Sequence, residues 1–134
     1  MAIDDDARWA GRLSIAYIMA VAAEVLRSTP ADILDLLLLT TVTSMNVPPD
    51  GAPGTPVGVS RNVLSRTLNI PLETVRRRVA GLIEKKALKE QSDGLVFSPN
   101  NALGLGDNAQ LRAFNLEKLR ELFRGLKAAG IDLD

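Results

Sequence analysis

Three consecutive arginines, Arg76, Arg77 and Arg78, follow Glu73 and Thr74 in this chain. A guanidinium is a planar, permanently charged fork of donors that can grip two acceptors at once, on a phosphate or on a base edge. Val75, Val79 and Leu82 recur at steps of four and three, which places them on one face of a helix. Glu73, Arg76, Arg77 and Ala80 then occupy the opposite face, with Thr74 and Arg78 at its flanks. The chemistry available to such a face is recognition of an acceptor-rich surface rather than bond making.

Composition narrows the alternatives. The 134 residues contain no cysteine and no histidine. That removes disulfides, thiolate metal sites, cysteine nucleophiles and the commonest general base at neutral pH. A site built only from carboxylates would remain possible, but no clustered carboxylate spacing suggests one. Asp4, Asp5 and Asp6 suit a helix start better than a binding loop. No nucleophile–base pair, phosphate loop or cofactor motif is visible, so the chain is not expected to be an enzyme and no cofactor or metal is expected.

The formal net charge is zero, yet it is unevenly distributed. Residues 1–58 carry three basic and seven acidic groups, whereas residues 59–98 carry eight basic and four acidic ones. The tail balances at five of each. One basic segment in a neutral chain fits a local anion-binding face, or equally a solvated charged helix.

The elements that must position this face are mostly helical, and the length fits one domain over residues 1–134. Residues 4–28 read as a long helix with two apolar stripes, Trp9-Leu13-Ala16-Tyr17-Ala20-Ala23 and Ile15-Met19-Ala22-Leu26, as in a helix buried on both sides. Thr29, Pro30 and Asp32 mark the start of a second helix, apolar nearly all round, whose end is weakened by Thr40, Thr41, Val42 and Thr43. Residues 46–58, with four prolines and three glycines, form a long loop. Ser60 caps a short helix ending near Leu68, and Asn69-Ile70-Pro71 makes a turn. The arginine helix runs from Leu72 to about Lys86. Leu88 to Gln91 and Leu95 to Ser98 read as strands of a hairpin closed around Asp93-Gly94. Residues 99–106 are a linker, and a last helix over residues 107–128 opens at Asp107, with Gln110 as the capping-box partner and Gly130 as its stop. The N-terminus carries no basic n-region, and Ile15 to Ala23 is too short to span a bilayer, so a cytoplasmic chain without a membrane partner is expected.

Short helix, tight turn, longer helix and hairpin, in that order, resemble the DNA-binding core of bacterial winged helix-turn-helix regulators of the GntR, MarR and ArsR types. The resemblance is carried by residues 59–79, where Leu64 and Ser65 hold the close helix crossing, Asn69 stands at the turn position usually held by glycine, and Ile70 and Val75 plug the angle. Thr74-Val75-Arg76-Arg77 is similar to the start of GntR-type recognition helices, and residues 82–88 to the entry into the wing. Lys86 replaces the usual helix-ending glycine there, and Ala87 a larger apolar residue.

The resemblance implies a mainly α fold with a small β-hairpin, in which a winged helix-turn-helix core over residues 29–98 is flanked by N- and C-terminal helices. It implies that Arg76 and Arg77 enter the major groove, where arginine bonds guanine edges. Thr74, Arg78, Arg61 and Lys89 would meet phosphates. Glu73 would either accept from cytosine or favour the helix N-terminus. The flanking helices would join two copies. The expected function is sequence-specific binding of double-stranded DNA by a dimeric transcriptional regulator, with a winged-helix protein–protein module as the alternative. The sequence names no effector.

Overall fold

In the computed structural model, which describes residues 3–48, 54–101, 103, 105 and 107–133, the chain is mainly helical with one two-stranded antiparallel hairpin. It forms two compact units, one of residues 29–107 and one joining residues 1–28 to 108–134.

The larger unit holds α2 (Ile33–Met45), α3 (Arg61–Leu68), α4 (Leu72–Glu84), β1 (Leu88–Gln91) and β2 (Gly94–Phe97). α2 packs on α3, α4 and β2, and buries Leu38, Leu39 and Val42 against Leu64, Val75, Val79, Leu82, Leu88 and Leu95. Its start lies later than Thr29 suggests. Asp32 is the N-cap, accepting from the Asp35 N–H at 2.9 Å while Asp35 accepts from the Asp32 N–H at 3.1 Å. Thr29 instead accepts from the Ala31 N–H, so Pro30 lies in the approach to the helix rather than in its first turn. Nor does the threonine run end α2 early. Thr40, Thr41 and Thr43 donate their hydroxyls to carbonyls four residues back, each at 2.7 Å, which satisfies them inside the helix.

α3 is capped by Ser60, as its sequence predicts, and ends at Asn69 in the left-handed region (φ 54°, ψ 45°). The Ile70 N–H then bonds the Ser65 carbonyl, the six-to-one closure of a left-handed cap. α4 ends the same way, with Lys86 at φ 62° and the Ala87 N–H on the Leu82 carbonyl. Ala87, small as it is, is fully buried.

In the hairpin Leu88 pairs with Phe97 and Gln91 with Gly94. Val59 exchanges both backbone hydrogen bonds with Leu95, a one-residue third strand. This contact requires glycine twice. A Cβ at Gly94 would stand 2.7 Å from the Val59 nitrogen, and one at Gly58 2.6 Å from the Gly94 nitrogen. The linker expected over residues 99–106 carries contacts of its own at Asn101, Leu103 and Leu105. The Asn101 side chain bonds the Ser98 and Leu105 carbonyls and the Leu103 N–H, and Leu103 and Leu105 are buried.

The smaller unit is an antiparallel pair of α1 (Ile3–Ser28) and α5 (Ala109–Ala128), with Leu13 against Gly125 and the Tyr17 hydroxyl donating to Asn115. α5 is capped by Asn108, one residue beyond the expected Asp107, because the Asn108 side chain reaches the Leu111 N–H. Gly130, at φ 74°, closes it. α1 is not buried on both sides. Ile15, Ile18 and Met19 are 62%, 61% and 60% exposed. Over Asp5–Ser28 this helix is long and apolar enough to cross a membrane by length and composition, with 6% of that window buried. The apolar stretch that reads as too short in the sequence is thus part of a longer helical run.

Candidate nucleic-acid interface

The candidate residues lie on α3, α4 and β1 of the larger unit. α4 is rotated by its apolar face, since Val75, Val79 and Leu82 are fully buried against α2 and α3. That burial leaves Glu73, Arg76, Arg77 and Ala80 on the exposed side, as their spacing predicts, with Thr74 and Arg78 half-buried at the flanks. The angle between α3 and α4 is held by the left-handed Asn69 and by the Ser65 hydroxyl, which donates to the Ile70 carbonyl at 2.6 Å.

The basic groups differ in how far the fold compensates them. Arg78 reaches across to α2, where its guanidinium pairs with Asp32 and lies 3.8 Å from Asp35. The Asp32 carboxyl is held below its ordinary range first by the Asp35 N–H and then by Arg78. Reciprocally, the Arg78 guanidinium is held in its charged form by Asp32. Arg61, in the first turn of α3, pairs with Glu90 on β1. Arg76 pairs with Glu73 at 2.6 Å, one turn apart on α4. Glu73 therefore sits where it complements both the helix N-terminus and an arginine. Arg77 and Lys89 make no ion pair among the described residues, and both are exposed.

The structure brings Arg76 and Arg77 together on one exposed face, with Arg61 and Lys89 on the neighbouring α3 and β1. It places Arg78 on a carboxylate of its own chain. Sequence spacing missed the partners Glu90 and Asp32, because each lies on a different element from its arginine. It also missed Asn46. This buried side chain donates to the Val57 and Leu95 carbonyls at 2.6 and 3.0 Å and accepts from the Phe97 N–H at 2.9 Å. One amide thereby ties the end of α2 to the loop base and to β2. Asp93, at the hairpin tip, accepts from the Gly58 N–H and from Gln91, which together hold its carboxyl below the ordinary range. The carboxylate stays exposed and ionised, so the hairpin tip keeps the negative charge that the sequence implies, with part of its acceptor capacity used within the fold.

Among the described residues no cluster of carboxylates is placed to hold a metal ion. No family model, curated protein or solved structure matches the chain.

Proposed function

We propose that the chain is a cytoplasmic transcriptional regulator that binds double-stranded DNA as a homodimer, with residues 59–98 acting as a winged helix-turn-helix. The observation that carries this reading is the orientation of α4, whose buried Val75, Val79 and Leu82 leave Arg76 and Arg77 exposed side by side. The left-handed turn at Asn69 and the third-strand contact of Val59 with Leu95 also support it. In this reading α4 lies in the major groove with Arg77 as the principal reader. Arg76 joins it by exchanging Glu73 for a base edge. Lys89 and Arg61 approach phosphates, Arg61 leaving Glu90 to do so, and Thr74 adds a neutral donor. Arg78 serves mainly to fix α4 on the α2 cap.

One observation favours a second reading, a winged helix that binds protein instead. Arg61, Arg76 and Arg78 each already have a carboxylate, which lowers the field available for a polyanion. Selection of bound sequences from a random duplex pool separates the two. The DNA reading expects an inverted repeat with half-sites about 10 base pairs apart, or a multiple of that. Arg77→Ala then weakens binding by about 1–3 kcal/mol and relaxes one base position. No enrichment, or enrichment unaffected by Arg76→Ala and Arg77→Ala together, overturns it.

A further inference from the structure

Away from the contact that Leu13 and Tyr17 make with α5, α1 exposes Ile15, Ile18, Met19, Ala23 and Leu26. Ile15, Ile18, Met19 and Leu26 are 62%, 61%, 60% and 39% exposed. Val25 is buried and Gly11 and Ala22 are half-buried, which bounds the open sector on one flank. No charged residue interrupts residues 13–23. The cations stand at the two ends instead, with Arg8 and Arg12 before the apolar run and Arg27 after it, all three exposed. Arg27 shares its charge with Glu24. Trp9, 45% exposed, lies at the border of the stripe, its ring centre 5.6 Å from the Arg12 guanidinium.

Area and charge together favour lipid as the occupant. With Trp9 included, the stripe presents on the order of 500 Å² of apolar surface, short of the roughly 800 Å² that each partner gives to a specific protein interface. Binding to a bilayer surface has no such threshold, since it scales with whatever apolar area enters the acyl boundary and with attraction to anionic headgroups. An uncharged centre, an indole at the border and arginines at the ends match the layers of that boundary, because arginine stems lie along apolar surface while their guanidiniums reach phosphates. Near the N-terminal end Arg8 and Arg12 stand against one exposed described acid, Asp5. The helix would lie along the surface, not through it. Spanning over Asp5–Ser28 would carry Arg12 and Glu24 into hydrocarbon and would strip Leu13 from Gly125 and Tyr17 from Asn115. Lying flat keeps all of these in place.

We propose that α1 binds the surface of an anionic lipid bilayer, lying in the headgroup boundary with Ile15, Ile18, Met19 and Leu26 toward the acyl chains and Arg8 and Arg12 on lipid phosphates. The expectation of no membrane partner rested on a run too short to span, and a surface helix needs no spanning length. The proposal goes beyond the DNA reading and stands whether or not the chain binds a duplex.

The single tryptophan of the chain, Trp9, lies on α1 and reports the contact directly. The full chain is mixed with vesicles of phosphatidylcholine, with and without phosphatidylglycerol. It should co-sediment with the vesicles, its emission should shift to the blue, and binding at low salt should be at least about fivefold tighter where phosphatidylglycerol is present. Lipids brominated near the headgroup should quench Trp9 more than lipids brominated near the chain end. Ile15→Glu with Met19→Glu changes two exposed positions, so helix content by circular dichroism should hold while vesicle binding falls at least about tenfold. Phe123→Glu, equally exposed but on α5, should leave vesicle binding unchanged. Arg8→Gln with Arg12→Gln should weaken binding to the phosphatidylglycerol vesicles at least about fivefold and leave binding to phosphatidylcholine alone as it was. Absence of vesicle binding, indifference to phosphatidylglycerol, or an equal loss from Phe123→Glu and from the α1 pair overturns the proposal. So does stronger quenching by the deep bromines, which would mean a spanning helix, or a chain that sediments as a dimer and stays off the vesicles, which would mean that protein covers the stripe.

Discussion

Asn46→Ala is the substitution whose consequence can be worked through most fully. The side chain makes three hydrogen bonds, to the Val57 and Leu95 carbonyls and from the Phe97 N–H. The Leu95 carbonyl keeps the Val59 N–H at 3.0 Å, so its loss is partial. The Phe97 N–H and the Val57 carbonyl lose a partner at part-buried positions. Each stranded group costs about 1–3 kcal/mol, and with partial rehydration the sum is about 3 kcal/mol. For a unit of this size that lowers the melting temperature by more than about 10 °C. Urea denaturation followed by circular dichroism measures it. Asn46→Asp sharpens the test. The introduced carboxyl still accepts from Phe97, but its second oxygen faces two carbonyl oxygens that the amide nitrogen used to serve. The charged form is disfavoured, so the folded pKa of that carboxyl rises above its unfolded value. The stability of this variant is therefore greatest relative to the parent at low pH and falls as pH rises through the raised folded value. An Asn46→Ala loss within about 0.5 kcal/mol of zero, or an Asn46→Asp loss that does not change between pH 4 and pH 7, refutes the network as drawn.

Three further outcomes follow from the same structure. Arg78→Met lowers the urea midpoint at pH 7, and its difference from the parent shrinks as pH falls below the ordinary Asp32 value of 3.8, because the stability from a depressed carboxyl is lost on protonation; a pH-independent difference would contradict the Asp32 pairing. Lys86→Gly relieves the left-handed backbone at that position and stabilises the fold by about 0.5–1 kcal/mol, read as a higher melting temperature. Glu90→Gln releases Arg61 and strengthens duplex binding about two- to fivefold at low salt, the worth of a surface ion pair, measured by fluorescence anisotropy.

What could be read from the sequence was whatever local chemistry determines. Ser60, Asn69 and Gly130 act within one turn of their own positions, and the Val75-Val79-Leu82 spacing fixes which side of α4 is buried. Caps were legible to within a few residues, because Thr29 competes with Asp32 and Asp107 with Asn108, and only geometry decides which oxygen reaches an N–H. The compensation of the arginines was not legible. Asp32 and Arg78 are 46 residues apart, and Arg61 and Glu90 are 29 apart. Neither was the outward face of α1, since an apolar stripe has the same composition whether the chain covers it or leaves it open. Asn101 reads as one more loop asparagine until Ser98, Leu103 and Leu105 are seen to fold around it.

The clasp at Asn46 also separates the length of the loop from the stability of what it connects. The Val57 N–H bonds the Asn46 carbonyl at 2.9 Å and the Asn46 amide bonds the Val57 carbonyl, so the chain leaves and re-enters the fold at a single point. The segment between is a closed ring whose ends are already held together. Doubling such a ring adds only about 0.6 kcal/mol of closure entropy. A peptide epitope or a fluorophore-bearing insert placed after Val47 should thus leave α2 and the hairpin in register, which makes this segment a handle for tethering or labelling the protein.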